Sequence, residues 1–324
     1  MPKHKIVSII GTGVIGAGWA ARFLAKGYIV KAYDPNKKSL EQLKLNVKTA
    51  FKSLKKIGLN KNASISNLKS YTKLTDALKD TSFVQENAPE NEKIKKKILK
   101  EIDLLVNKTI VIASSSSGLL PTSIQSKCIH PERVLIGHPF NPVYLLPLVE
   151  VVGGKKTKPK FIKLAKSFYE DVGMKPLIVK KEIEGYISDR LQEALWRESL
   201  HLIKDGIATT DEIDDAIIYG PGLRWAFMGV CLTFHLAGGK TGMKHMLKQF
   251  GPTLKLPWTK LKAPKLDNKL KNLMISGTKK QAGKLNIKGL EEQRDIFLIE
   301  IMKTLNKSQN NKFPNWGEKF NEFK

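Results

Sequence analysis

Over residues 5–180, short β-branched apolar runs alternate with longer amphipathic stretches, which predicts βαβ units and a mainly parallel sheet. The runs predict strands at 5–10, 29–33, 83–86, 109–113, 134–137, 148–152 and 177–180. Between them, apolar residues recur at helical spacing over 15–25, 40–54, 92–106 and 158–172, with lysines forming the polar faces. After Glu182 the texture changes. Strand-like runs become few, and helical patterns cover 187–203, 210–218, 243–250 and 290–305. Thr209 with Glu212 three residues later reads as a capping box at a helix start. The pattern predicts an α/β domain over residues 1–183 and an all-α domain over 184–324. The Lys- and Asn-rich end beyond about residue 305 is expected to be poorly ordered.

Composition narrows the function classes. The 324 residues hold 56 Lys+Arg against 30 Asp+Glu, a net charge of +26, and are 41% hydrophobic and 27% charged, close to globular averages. Of the 56 cations 50 are lysine and only 6 arginine, spread along the whole chain without a nucleic-acid motif. Phosphate and base recognition draws on clustered, bidentate arginine, so the charge reads as compositional bias, and neither nucleic acid nor membrane is an expected partner. Cys128 and Cys231 stand far apart without a CxxC or His/Cys ligand set, so no metal is expected. The start shows no charged leader with an apolar core, and no apolar run reaches spanning length; a cytoplasmic protein is expected.

Gly11-Thr12-Gly13-Val14-Ile15-Gly16 follows the first predicted strand and opens the first predicted helix, with Asp34 at the end of the second strand. Gly11 permits a tight turn, Gly13 lets the backbone approach a pyrophosphate, and Gly16 lets helix and strand pack closely. The helix start adds oriented N–H groups and positive potential. These features point to a Rossmann-type domain. Asp34 would accept hydrogen bonds from ribose hydroxyls and repel a 2′-phosphate, which favours NAD over NADP, although Lys37 and Lys38 lie just beyond it. FAD-binding folds use the same fingerprint.

In an open parallel sheet, residues just past strand C-termini line the ligand crevice. Two such segments carry chemistry: Ser114-Ser115-Ser116-Ser117-Gly118, and the run from Gly137 through His138-Pro139-Phe140-Asn141-Pro142. Oxidising an alcohol by hydride transfer leaves a hydroxyl proton to remove, and imidazole titrates in the right range to take it. Glu150 lies inside the apolar run Leu148-Val149-Glu150-Val151-Val152 and needs a partner there; orienting His138 would supply one, as would pairing with a lysine. A loop histidine alone is more often a packing residue, but the three features together beside a nucleotide fingerprint favour catalysis.

The Gly-rich loop, the serine turn, the His138 to Pro142 segment and the strand from Leu148 resemble the 3-hydroxyacyl-CoA dehydrogenase superfamily. The resemblance implies an NAD-dependent dehydrogenase in which His138 is the base, Glu150 its partner and Ser117 the group that meets the substrate hydroxyl. It also implies a homodimer formed through the helical domain. Where the superfamily usually has asparagine, the segment Tyr186-Ile187-Ser188-Asp189-Arg190-Leu191 has Asp189, and an ionised carboxylate can accept a hydrogen bond but not donate one. The stretches around Trp196, Tyr219 to Trp225 and Trp258 are most similar to a branch acting on L-carnitine. A quaternary ammonium is held only by aromatic faces, acidic charge and shape. Tyr186, Trp196, Trp225, Phe227 and Trp258 are the candidate faces, Asp189 the acid, and Arg224 the candidate for the substrate carboxylate. Short-chain 3-hydroxyacyl-CoA and L-gulonate are the rival substrates, and a crystallin-like NAD-binding protein without turnover is the rival of another class.

Overall fold

The structure is a computed structural model that describes residues 5–226, 229–260, 262 and 264–307. Phe227 and the segment from 308 onward lie outside the described residues. The chain divides into two compact units, one of residues up to Ile187 together with those from Arg294, the other of Ser188–Gln293.

In the first unit, β1 (Ile6–Ile10), α1 (Val14–Ala25), β2 (Ile29–Tyr33), α2 (Lys37–Ile57), β3 (Leu68–Tyr71), α3 (Leu74–Leu78), β4 (Phe83–Glu86), α4 (Glu92–Leu105) and β5 (Ile112–Ser114) follow one another. Then come α5 (Pro121–Ile124), β6 (Val134–Pro139), β7 (Leu148–Gly153), α6 (Pro159–Asp171) and β8 (Lys175–Val179). The eight strands form one sheet in the order β3-β2-β1-β4-β5-β6-β7-β8. Only β6 and β7 pair antiparallel. Chain order reverses at β1/β4, the switch point where Rossmann sheets hold their ligand.

Strands β4, β5 and β6 are buried along their whole length; each opens with apolar residues, and the polar Gln85, Glu86, Ser114 and His138 come toward their C-terminal ends. The sequence reading missed β3, because Leu-Lys-Ser-Tyr is an edge strand with a half-exposed surface and needs no apolar run. One sheet face packs on α1, α2 and α6 through Trp19, Phe23, Leu43 and Phe161, and the other on α3, α4 and α5 through Leu78, Leu99 and Ile124.

The second unit contains α7 (Ser188–Lys204), α8 (Thr210–Ile218), α9 (Pro221–Trp225), α10 (Gly229–Ala237), α11 (Met243–Phe250) and α12 (Asn268–Ala282). The Thr209/Glu212 capping box forms in both directions. Its core is small, Leu200, Ile203 and Leu270 with Ile213 and Met274 beside them. The last helix, α13 (Ile287–Lys307), begins here, but from Arg294 it belongs to the first unit. This departs from the sequence reading, which put everything after residue 183 in the helical domain. There Asp295 accepts from Ser53 Oγ at 2.9 Å and from Tyr144 OH at 2.7 Å. No described helix is long and apolar enough to cross a membrane.

Candidate active site

The loop between β1 and α1 divides its work among three glycines. Gly11 sits at φ +92°, and a Cβ there would lie 2.5 Å from the Asn87 carbonyl oxygen at the end of β4. A Cβ on Gly16 would lie 2.1 Å from the Gly11 oxygen, so α1 closes on its own loop only with glycine at that position. At Gly13 a Cβ would meet nothing within 4 Å. The first and third glycines are therefore demanded by the protein's own packing, while the second leaves open a side of the loop from which a pyrophosphate could approach the α1 N-terminus. Thr12, Val14 and Ile15 complete the loop. Asp34, just past β2, accepts from the Thr12 amide at 3.2 Å and the Thr12 hydroxyl at 2.9 Å through Oδ2, and from the Asn36 amide at 3.0 Å through Oδ1. Its carboxylate is thus fixed beside the loop, within the region where a dinucleotide could lie. These residues fit NAD. Asp34→Ala is expected to lower the preference for NAD over NADP by roughly tenfold or more, the worth of hydrogen bonds to a charged group, and to lower kcat less; catalytic efficiencies with the two cofactors check it.

The serine turn after β5 is held by acids that the sequence reading passed over. Glu86 is fully buried at the end of β4. It accepts from Lys95 Nζ at 3.0 and 3.2 Å, from the Ala88 amide and from the Ser114 hydroxyl. Glu90 accepts from the Ser116 hydroxyl and from the amides of Ser117 and Gly118 at 3.1 and 3.2 Å. Burial alone would raise the Glu90 pKa; the Ser116 hydroxyl, the Lys95 ammonium and the two amides outweigh it and hold the carboxyl below the usual range. A lowered acid stabilises the fold while ionised, so this hold on Ser117 is present at neutral pH and is lost as the pH falls through the lowered value. On the far side of the same strands, Gln85 donates to Ser115 Oγ at 2.8 Å and to the Gly137 oxygen at 3.2 Å, while Tyr169 OH donates to Gln85 at 2.7 Å. The residue before His138 is thereby tied to the serine turn.

His138 and Glu150 face each other in the antiparallel β6/β7 register, so a twelve-residue separation in the chain becomes a direct cross-strand pair. His138 Nδ1 lies 3.0 Å from Glu150 Oε2, and Glu150 Oε1 accepts from the Ile187 amide at 3.0 Å. Glu150 is fully buried and His138 nearly so. The imidazole is flanked by Phe140 and Tyr186, with ring centroids at 5.1 and 5.6 Å. Tyr186 is fully buried, donates to the Leu119 oxygen at 2.8 Å and adopts φ +45°, a left-handed conformation that L residues hold only where surroundings demand it. By its contacts it groups with the first unit.

The structure thus brings Gly11 to Gly16 and Asp34 together at one end of the sheet's switch point, and pairs His138 with Glu150 across β6/β7, with Tyr186, from the segment before α7, beside the imidazole. Ser117 is on the turn beside Glu90. Asp189 lies in the first turn of α7, and Arg224 and Trp225 on α9, all in the second unit. Trp196 and Trp258 are exposed in that unit. Glu86 could have been found in the sequence as an acid ending an apolar strand; Lys95, one lysine among 50, carries no such signal.

Residues 6–183 match the model of the 3-hydroxyacyl-CoA dehydrogenase NAD binding domain, and residues 185–286 that of the 3-hydroxyacyl-CoA dehydrogenase C-terminal domain. An L-carnitine dehydrogenase of Bacillus cereus is 53% identical over 309 residues, 95% of each chain. One of Pseudomonas putida is 48% identical over 305 residues, 94% of this chain and 95% of that one. Among solved structures, an NAD+ dependent dismutase described as a pyridine-carboxylic acid 5-dehydrogenase matches with a TM-score of 0.78 at 25% identity, covering 93% of this chain and 98% of that one. Two matched domains in sequence order, over a glycine loop whose packing suits NAD, lead to one conclusion: the chain belongs to the 3-hydroxyacyl-CoA dehydrogenase family of NAD-dependent oxidoreductases.

Proposed function

We propose that this protein oxidises the 3-hydroxyl of L-carnitine to the ketone, giving 3-dehydrocarnitine. The observation that carries this reading is the 53% identity, across 95% of both chains, to a protein named L-carnitine dehydrogenase. NAD supplies the acceptor for the hydride that leaves C3. His138 takes the hydroxyl proton. Its Nδ1 is bonded to Glu150, which selects the tautomer with a basic Nε2 and stabilises the imidazolium once Nε2 is protonated. Ser117 is assigned to the substrate hydroxyl, and Gly11, Thr12, Gly13, Val14, Ile15, Gly16 and Asp34 to the cofactor.

For the substrate's own charges we assign Trp225 and Asp189 to the trimethylammonium and Arg224 to the carboxylate, because only aromatic faces and acids attract a cation that cannot donate hydrogen bonds; Tyr186, fully buried beside His138, is assigned instead to holding the imidazole. Asp189→Asn is expected to raise the carnitine KM roughly fivefold, on the order of 1 kcal/mol, and to leave NAD affinity unchanged; equal changes in both constants would remove Asp189 from the substrate set.

The helical unit exposes the large apolar side chains Leu195, Trp196, Leu223, Phe234 and Trp258, which supports a homodimer formed through this unit. Light scattering of the purified protein tests the mass. The decisive assay for the substrate is NAD reduction with L-carnitine, L-gulonate and 3-hydroxybutyryl-CoA under one set of conditions. Catalytic efficiency with carnitine is expected to exceed the other two clearly. Turnover of the thioester with none on carnitine would overturn the substrate assignment.

A further inference from the structure

Helix α1 is buried at every position from Gly16 to Ala25, and its one cation there is Arg22. The Arg22 guanidinium is spent on backbone carbonyls. Nε donates to Val143 at 3.1 Å, Nη2 to Leu145 and Leu146 at 3.2 and 3.4 Å, and Nη1 to Gly173 at 3.3 Å. Burial draws the guanidinium down to about 10, which leaves it charged at neutral pH. A chain that uses lysine for 50 of 56 cations has arginine here, where a planar fork reaches several acceptors at once and a lysine point charge would not. One turn earlier on the same face, a Cβ on Gly18 would stand 2.8 Å from the Val143 Cβ, so α1 packs this closely on the Val143 side chain only with glycine.

Residues 143–146 lie in the connector that leaves β6 after Pro139 and enters β7 at Leu148. His138 precedes the connector and Glu150 follows it, and their pairing depends on how the connector returns the chain. The other side of the connector is held through Tyr144 by Asp295. Helix α1 also begins at the glycine loop.

We propose that Arg22, with Gly18, is a positioning residue for the reaction: it clamps the 143–146 connector to the helix that carries the cofactor loop, and so holds the His138–Glu150 pair in place relative to that loop. This rests on the reading of His138 as the proton acceptor. A small displacement of a reacting group is enough to slow catalysis heavily, which makes the consequence measurable.

The test compares wild type, Arg22→Lys, Gly18→Ala and His138→Ala, using whichever of the three 3-hydroxy substrates the wild type oxidises best. Arg22→Lys and Gly18→Ala are expected to bind NAD with a Kd within about twofold of wild type and to lose roughly ten- to a hundredfold in kcat. The deuterium isotope effect on a C3-deuterated substrate should rise in both, as hydride transfer becomes slower than product release. Gly18→Ala leaves the cation in place, so it decides the matter should Arg22→Lys not fold. Val143→Gly in the Gly18→Ala background removes the Cβ that the new methyl would meet and should restore most of kcat, a rescue that also covers the case in which Gly18→Ala alone folds poorly. Folded variants with unchanged kcat and isotope effect would overturn the clamp. Near-normal turnover in His138→Ala would overturn the proton-transfer reading beneath it instead.

Discussion

His138→Ala is expected to lose about a hundredfold or more in kcat while binding NAD as the wild type does, since a positioned general base contributes on that scale. The split follows from the geometry. The imidazole is on β6, engaged by Glu150 at 3.0 Å, whereas the cofactor loop takes its shape from Gly11 and Gly16 packing on the Asn87 and Gly11 backbone. Removing the ring touches none of those contacts. Glu150→Gln should slow turnover in the same direction but by less, because an amide still bonds to Nδ1 yet cannot stabilise an imidazolium as a carboxylate does. Steady-state kcat and NAD titration by fluorescence measure both quantities. A His138→Ala enzyme with near-normal turnover would remove the histidine from the chemistry.

The second large effect is on stability. Lys95→Met should destabilise the first unit by about 3–5 kcal/mol, the usual consequence of leaving one member of a buried ion pair without the other. Glu86 and Lys95 are both essentially inaccessible to water, and their pairing at 3.0 Å is joined by a bond from Lys95 to the Ala88 oxygen, also at 3.0 Å. Without the ammonium, a carboxylate would remain in a low-dielectric site with only the Ala88 amide and Ser114 hydroxyl for company. Adding Glu86→Gln to Lys95→Met removes the orphaned charge and is expected to recover much of the loss, as a double-mutant cycle in urea unfolding would show. A single Lys95→Met variant within 1 kcal/mol of wild type would mean that Glu86 can lose its charge or reach solvent there.

Whatever depends on neighbours along the chain was legible without the fold. Strands β1 and β2 were legible because a parallel strand inside the sheet, covered on both faces, is a short and largely apolar run. The Thr209/Glu212 cap was legible because both halves of its bonding lie within one turn. The cofactor loop was legible because its turn and its close approaches admit only glycine.

Tertiary structure decided the rest. That Glu150, rather than a lysine's counter-ion, is the partner of His138 follows from an antiparallel register that no local pattern states. Lys95 looks like any other lysine on an amphipathic helix until β4 places Glu86 opposite it. The helices α9, α10 and α12 escaped notice because their unit buries few side chains and leaves a weak period. The return of α13 to the first unit depends on Asp295 meeting Ser53 and Tyr144, 242 and 151 residues away. Buried charges and forked hydrogen bonds are satisfied by whichever residues the fold brings near, so their partners are written in space and not along the chain.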